Sequence, residues 1–200
     1  MVNLFQKNCD GSEGSGPGEQ QCFSIDEVWV VPCGFRPDKP HISHPRKRLE
    51  MIRLAVADFF PTDFPIKIDT VEIENGNSIP TAYLMDAYRK QEPQTDFWFT
   101  CGTDLISGLH WWDEGQRFIN EEQFLIFERN GFPQNELLSH ENWPKNYKIA
   151  YEQHRGHENL LGGISSTEVR LRVQNGIGIS GLVTPNVIEY IDKEALYKKS

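Results

Sequence analysis

The chain has 200 residues, 38% of them hydrophobic, and its 12 phenylalanines and 5 tryptophans are too many for a disordered protein. Its formal net charge of -9 argues against a nucleic-acid partner, because DNA and RNA are held by clustered lysines and arginines. It has neither an apolar run of about 18 residues nor a signal-peptide core. We therefore expect no membrane partner and an intracellular, cytoplasmic protein, with the nucleus left open.

The amino-terminal part of the chain differs in composition from the rest. Residues 10–21 contain four glycines, one proline and no apolar side chain, which is typical of a flexible loop. We divide the chain into a flexible segment, residues 1–24, and one domain, residues 25–200. No C-x-x-C spacing occurs, so we expect neither a zinc site nor disulfides but reduced structural thiols, at Cys9, Cys22, Cys33 and Cys101.

Strands and helices alternate along the rest of the chain. The predicted strands are Glu27–Pro32, Ile66–Ile73, Phe97–Cys101, Phe124–Phe127 and a weak one at Ile149. The predicted helices start after Ser43, with Leu49, Ile52, Val56 and Phe59 as a buried stripe, at Thr81, near Ser165 and after Pro185. This alternation predicts an α/β fold with a mainly parallel sheet and helices on both faces.

The segment Gly162–Arg170 has the pattern of a phosphate-binding helix start. Ser165 and Glu168 stand three residues apart, as in a capping box, which leaves the amides of Ser166 and Thr167 facing outward. These amides, the helix dipole and Arg170 together suit a phosphate group. The alternative is an ordinary capped surface helix.

Two loops that follow strands carry further candidate residues. Gly102 lets a ligand approach the backbone, and Asp104 can accept hydrogen bonds from a ribose, with Trp111 and Trp112 as a surface for an aromatic base. The loop 32–40 contributes Arg36 and Lys39, and Arg46 and Arg48 follow in the next helix; this basic cluster suits a mononucleotide phosphate. For the first loop, the alternative is that Asp104 caps a helix and both tryptophans belong to the core. For the basic cluster, the alternative is ordinary solvated surface charge.

In this order, the segments resemble the pyridine mononucleotide adenylyltransferases, a branch of the nucleotidyltransferases with a Rossmann-like sheet. The resemblance spans about Ile25 to Tyr197 and rests on Asp26–Gly34 with Lys39, Arg48–Met51, Gly102–Asp104 with Trp112, and Ile164–Arg170. The agreement of order and spacing is more specific than any single motif.

The resemblance implies both a reaction and residue roles. The mononucleotide phosphate attacks the α-phosphorus of ATP, which is bound with Mg²⁺, to give pyrophosphate and NAD or its deamido form. ATP would bind at Gly102, Asp104, Ser165, Ser166, Thr167 and Arg170, with Arg170 also catalytic. The nicotinamide or nicotinate mononucleotide would bind at Lys39, Arg48, Thr81 and Trp112. No protein ligand to the metal is implied, and a homo-oligomer stays open.

One feature of the family is not found in this sequence. The family begins with a strand, a Gly-rich turn and His-x-Gly-His, but no histidine occurs before Asp26. We interpret His41-Ile-Ser-His44 and His154-Arg-Gly-His157 as coincidental, because neither follows a Gly-rich turn after a buried strand. The first strand would be missing or replaced, and its neighbours would be left unpaired unless Val2–Phe5 takes the central position.

Three hypotheses about function follow. The first is an adenylyltransferase of NAD synthesis, and the second is a catalytically silent nucleotide-binding protein, or a truncated form, on the same scaffold. The third is another nucleotidyltransferase, acting on pantetheine phosphate or with CTP, which the spacing of Asp104 and Trp112 disfavours.

Asn77–Thr81 also departs from the family's Ser-Tyr-Thr, which puts the contact from Thr81 in question.

Overall fold

The computed structural model describes residues 2–6, 25–133, 140–150 and 164–198. The strands are β1 (Val2–Gln6), β2 (Glu27–Val30), β3 (Ile66–Ile68), β4 (Asp96–Gly102), β5 (Gln123–Phe127) and β6 (Asn146–Ile149). The helices are α1 (Pro45–Phe59), α2 (Val71–Asn75), α3 (Thr81–Gln91), a 3-10 helix (Thr103–Trp111), α4 (Gly115–Glu121), α5 (Ser166–Gln174) and α6 (Pro185–Lys193). Of the helices in these ranges, none has the length and apolarity that crossing a membrane requires.

The six strands form one sheet in the order β3-β2-β1-β4-β5-β6. Three pairs are parallel, namely β2 with β3, β4 with β5, and β5 with β6. The predicted α/β class with a mainly parallel sheet is therefore confirmed. The carboxyl ends of β2, β4 and β5 lie at one edge, where ligands of such sheets bind.

β1 occupies the central position of the sheet and runs antiparallel to both neighbours, β2 and β4. Val2–Gln6 thus takes the central position, although it belongs to the segment predicted to be flexible. The backbone of β1 supplies hydrogen-bond partners to β2 and β4. Buried strands need such partners, because unpaired backbone groups are costly away from water. Because β1 is reversed, its last residue, Gln6, pairs with Asp96 at the start of β4, at the edge opposite the carboxyl ends of β2, β4 and β5.

An aromatic core lies between the sheet and the helices α3 and α4. β2 and β4 contribute Trp29, Phe97 and Phe99, each at most 2% exposed. Phe99 packs edge to face on Phe118 of α4, with 5.1 Å between ring centroids, a favoured arrangement of aromatic rings. Burial of each such side chain stabilises the fold by roughly 1.5–3 kcal/mol. The cluster thereby fixes β4, whose last residue is Gly102.

A second apolar cluster joins α1, α5 and α6. Val187 and Ile191 of α6 are buried, and Met51 of α1 packs against this cluster. Phe59, predicted to be buried on α1, is 70% exposed. It is the last residue of α1 and borders an open cavity rather than the cluster.

The predicted strand Ile66–Ile73 is wrong in its second half, where α2 forms instead. The carboxylate of Asp69 accepts a hydrogen bond of 2.9 Å from the amide of Val71 and so starts the helix. Glu72 then turns inward and is only 3% exposed. A local side-chain cap therefore prevails over the strand pattern of the sequence.

Two cysteines lie in the part of the chain that the structure describes, and both are free thiols. Cys101, in β4, is 5% exposed, and burial raises the pKa of its thiol to about 12 because a thiolate would lose its hydration there. Cys101 is therefore an unreactive core residue. Cys33 is partly exposed, and Cys9 and Cys22 lie outside the described residues.

Candidate functional site

One cavity of about 520 Å³ brings four of the predicted site residues together. Lys39 comes from the basic loop after β2, Arg48 from α1, and Ser166 and Arg170 from the start of α5. Apolar side chains of α1, α5 and α6 complete the wall, among them Met51, Val169 and Val187. The basic loop and the predicted phosphate-binding helix thus share one concave surface.

The start of α5 has the capping geometry that the sequence predicts. Ser165 has extended backbone angles, and its Oγ accepts a hydrogen bond of 3.1 Å from the amide of Glu168. Ser166 and Thr167 are exposed, and Arg170 donates to Thr167 Oγ1 at 3.1 Å. Because the cap satisfies the amide of the third helical residue, the amides of Ser166 and Thr167 are the ones that could donate to a bound anion. Hydroxyls, amides and a guanidinium therefore converge on one small surface.

Arg48 and Glu72 hold the backbone of the basic loop from two sides. Arg48 donates hydrogen bonds to the carbonyls of Cys33, Gly34 and Ser43, the one to Gly34 being 2.7 Å long. A carboxylate oxygen of Glu72 accepts one of 2.9 Å from the amide of Gly34. Arg48, predicted as a mononucleotide ligand, therefore also positions the loop that carries Lys39.

Gly34 is required where it stands, because a Cβ there would lie 2.3 Å from the backbone carbon of Asn77. The next residue, Phe35, pairs with the strand-like segment around Asn77, through hydrogen bonds of 3.1 Å from its amide to Gly76 and 3.2 Å from Ser78 to its carbonyl. The loop after β2 is thereby joined to the segment that leads into α3. Thr81, the first residue of α3, is only 9% exposed, so its side chain offers little surface to a ligand.

Glu72 holds the backbone of the basic loop, and the sequence pattern does not single it out, since it lies in the predicted strand. Burial raises its pKa above the ordinary 4.5, because an ionised carboxylate loses hydration inside the protein. A raised pKa means that the folded protein binds this proton more tightly than the unfolded chain. The stability that Glu72 contributes is therefore full below pH 4.5 and is lost as the pH rises through the folded-state pKa.

Replacing Glu72 by glutamine is accordingly expected to make stability less dependent on pH. The free energy of unfolding of Glu72→Gln relative to wild type should shift in favour of the variant as the pH rises from 4.5 towards neutrality. Urea denaturation at a series of pH values measures this difference. Glu74→Gln, exposed on the same helix, is the control. A difference between Glu72→Gln and wild type that stays constant with pH would contradict the assignment.

The predicted adenosine-side residues, Gly102 and Asp104, lie outside the lining of this cavity. A Cβ at Gly102 would lie 2.3 Å from Asp104 Oδ1 and 2.6 Å from Arg129 Cγ, so any other residue there would have to displace these two side chains. Asp104 forms a salt bridge with Arg129, 3.8 Å between Oδ1 and Nε. Sequence reasoning misses Arg129, although its place two residues after a predicted strand was a usable signal.

The two adjacent tryptophans have different surroundings. Trp112 packs against the aromatic core, edge to face on Phe99 and nearly parallel to Phe118, with ring centroids 6.0 and 6.1 Å apart. Trp111 is 81% exposed and contacts His110. Trp112 is therefore held in place by the core, whereas Trp111 reaches solvent.

The two histidine pairs noted in the sequence have no place in the described lining of the cavity. His41 and His44 are exposed, and His44 caps α1, its Nδ1 accepting a hydrogen bond of 3.3 Å from the amide of Arg46. His154 and His157 lie outside the described residues. His44 thus has a structural contact that accounts for it.

Comparison with known proteins places this geometry in a family. No family model matches the sequence. A probable nicotinate-nucleotide adenylyltransferase of Opitutus terrae is 31% identical over 183 residues, which cover 89% of this chain and 86% of the relative. One of Herpetosiphon aurantiacus is 28% identical, over 88% of this chain and 85% of the relative.

Solved structures give the same result. Nicotinic acid mononucleotide adenylyltransferase of Plasmodium falciparum, complexed with NaAD, is similar with a TM-score of 0.72 and 27% identity, over 86% of this chain and 83% of that one. The same enzyme complexed with APC gives a TM-score of 0.69 and 26% identity, with the same coverage. Together with the 31% identity to the Opitutus protein, these similarities show that the chain belongs to the nicotinate-nucleotide adenylyltransferase family, whose members are nucleotidyltransferase enzymes.

Proposed function

We propose that the protein transfers the AMP moiety of ATP to nicotinate mononucleotide, which gives nicotinate adenine dinucleotide and pyrophosphate. The observation that carries this proposal is the shared cavity of Lys39, Ser166 and Arg170, which brings a basic loop and a helix start together. In a chain of net charge -9, such a local concentration of cations suits two phosphate-bearing substrates. The names of the similar proteins support the same reaction.

In this reaction, an oxygen of the mononucleotide phosphate forms a bond to the α-phosphorus of ATP, and the bond from that phosphorus to pyrophosphate breaks. Ser165, Ser166, Thr167 and Arg170 would hold the ATP phosphates, and Lys39 and Arg48 the mononucleotide phosphate. Gly102 and Asp104 would bind the adenosine. The protein then contributes alignment of the two phosphates and neutralisation of their charge, which are the main terms in phosphoryl-type transfer.

Mg²⁺ belongs to the proposal as a partner of ATP. Within the described ranges, no group of three or more His, Cys, Asp or Glu side chains could hold a metal ion. Mg²⁺ in nucleotide sites is often bound mainly by phosphate oxygens and water. Such an ion would add to Arg170 in neutralising the charge of the triphosphate.

The choice of acceptor is tested by comparing the two mononucleotides with the purified protein and Mg-ATP. We expect kcat/KM for nicotinate mononucleotide to exceed that for nicotinamide mononucleotide by at least about 10-fold, which corresponds to roughly 1.4 kcal/mol. Equal kcat/KM values for the two mononucleotides would agree with transferase activity but refute the proposed preference for the acid. A higher value for nicotinamide mononucleotide would show the opposite preference.

Trp112 is proposed to stack on the pyridine ring of the mononucleotide. Trp112→Ala is then expected to raise KM for the mononucleotide by about 10-fold, the size of an aromatic stacking contribution, and to leave KM for ATP nearly unchanged. Steady-state kinetics with each substrate varied in turn measures both constants. Trp111→Ala, which removes the exposed neighbouring indole, is the matched control. Equal effects of Trp112→Ala on both constants would argue for a purely structural role.

A second candidate function is nucleotide binding with little turnover. The observation that favours it is the reversed β1, because the chain leaves this strand at the edge away from Lys39 and Arg170, and no histidine occurs in the described lining of the cavity. Charge-stabilising donors at a transition state are typically worth about 10²- to 10³-fold each. A folded protein that binds ATP and the mononucleotide without forming dinucleotide would establish this candidate.

A further inference from the structure

Arg129 lies between the two parts of the proposed ATP site. Its Nε is 3.8 Å from Oδ1 of Asp104, in the loop proposed to bind adenosine. Its Nη2 donates a hydrogen bond of 3.2 Å to the carbonyl of Ile164. Ile164 directly precedes Ser165, which caps the helix proposed to bind the phosphates. One guanidinium therefore connects two segments that are far apart in the sequence.

The stem of Arg129 is also fixed. Its amide donates a hydrogen bond of 2.9 Å to Oγ1 of Thr103, which is 2% exposed. Its Cγ lies so near to Gly102 that a Cβ there would come within 2.6 Å of it. Backbone and stem are thus held against the end of β4, and the guanidinium extends from there to α5. Its side chain is 29% exposed, so the contacts are only partly screened by water.

We propose that Arg129 is a positioning residue for ATP, which holds the Asp104 loop and the start of α5 at the separation that one ATP molecule spans. This rests on the proposed function, since it takes both segments to bind the same nucleotide. A ligand that contacts both segments binds more tightly when they are aligned, because its second contact forms while the first already holds it to the protein. A ligand that occupies only one segment gains little.

The test compares ligands that span the site with ligands that fill half of it. Calorimetry gives the Kd of ATP, adenosine and pyrophosphate for wild type, Arg129→Ala and Arg129→Lys. For Arg129→Ala we expect the Kd of ATP to rise by about 10- to 100-fold, as for the loss of charged hydrogen bonds, and those of adenosine and pyrophosphate by less than about 3-fold. Arg129→Lys should recover only part of the lost ATP affinity, because an ammonium group cannot contact both segments at once as the planar guanidinium does.

Arg117→Ala is the matched control, because Arg117 is 28% exposed, as against 29% for Arg129, and also forms salt bridges. Circular dichroism and the unfolding midpoint show whether each variant is folded. An unchanged Kd for ATP in Arg129→Ala would overturn the proposal, as would an equal rise for all three ligands. If wild type binds ATP but forms no dinucleotide, the proposed function fails while the binding data still decide the role of Arg129. If wild type binds no ATP, both fail.

Discussion

Replacing Arg170 by alanine is expected to lower kcat/KM for dinucleotide formation by about 10²- to 10³-fold, the usual effect of removing a charge-stabilising donor. Arg170 lies one turn into α5, lines the same cavity as Lys39 and donates a hydrogen bond to Thr167. In the proposed reaction, its guanidinium would neutralise charge that moves onto the leaving pyrophosphate. Steady-state kinetics with Mg-ATP and nicotinate mononucleotide measures the loss.

Arg172→Ala is the control for this variant. Arg172 is on the same helix but pairs with Glu168, 2.7 Å between Nε and Oε1, and does not line the cavity in the described part of the chain. Its loss should leave kcat/KM within a factor of about 3, since an exposed pair within a helix is worth only a few tenths of a kcal/mol. Comparable losses for Arg170→Ala and Arg172→Ala would contradict the specific role of Arg170.

Replacing Arg89 by leucine is expected to have the largest effect on stability. Arg89 in α3 forms a two-pronged salt bridge with Glu122, one contact being 2.9 Å between Nη1 and Oε1. Glu122 is 1% exposed, so the variant would leave a buried carboxylate without its charged partner. We expect a loss of about 2–3 kcal/mol in the free energy of unfolding, below the 3–5 kcal/mol of fully buried pairs because Arg89 itself reaches solvent.

The double variant Arg89→Leu/Glu122→Leu separates the ion pair from other effects of the substitution. Removing both charges also removes the uncompensated carboxylate, so most of the lost stability should return. Urea denaturation of the wild type and of single and double variants, at neutral pH, gives the three differences. A double variant that is less stable than Arg89→Leu would show that packing, rather than the buried charge, governs this site.

Features that depend on neighbours in the sequence could be predicted from it. The cap of α5 joins Ser165 to Glu168, three residues away, so its pattern is visible in the sequence and is confirmed. The buried strands around Trp29 and Phe99 are likewise recognisable as short apolar runs. The proximity of Lys39 and Arg170 follows from the parallel sheet once its strands are recognised.

Features that depend on distant contacts could not be predicted. Glu72 reads as part of a strand, and its inward position depends on Gly34, 38 residues earlier. The place of Arg129 after β5 marks it as a residue of a loop that follows a strand, but its contact with Ile164, 35 residues later, depends on the fold. The direction of β1 is set by its pairing with both β2 and β4, and an isolated five-residue strand carries no signal of direction.

The direction of β1 decides which end of this strand lies at the edge of the sheet that carries Arg170 and Lys39. Gln6, its last residue, pairs with Asp96 at the opposite edge. At the edge with the cavity, the described side chains offer guanidinium, ammonium and hydroxyl donors, namely Arg170, Lys39 and Ser166. We therefore expect alignment and charge neutralisation, rather than proton transfer from a histidine, to carry catalysis.

The most direct measurement follows the α-phosphorus of ATP. The purified protein is incubated with Mg-ATP labelled at the α-phosphate and with nicotinate mononucleotide, and the products are separated and identified by mass. The proposed function predicts that the label appears in nicotinate adenine dinucleotide, with one pyrophosphate released per dinucleotide, and that Arg170→Ala forms little of it. A folded wild-type protein that leaves the label in ATP would contradict the transferase reaction.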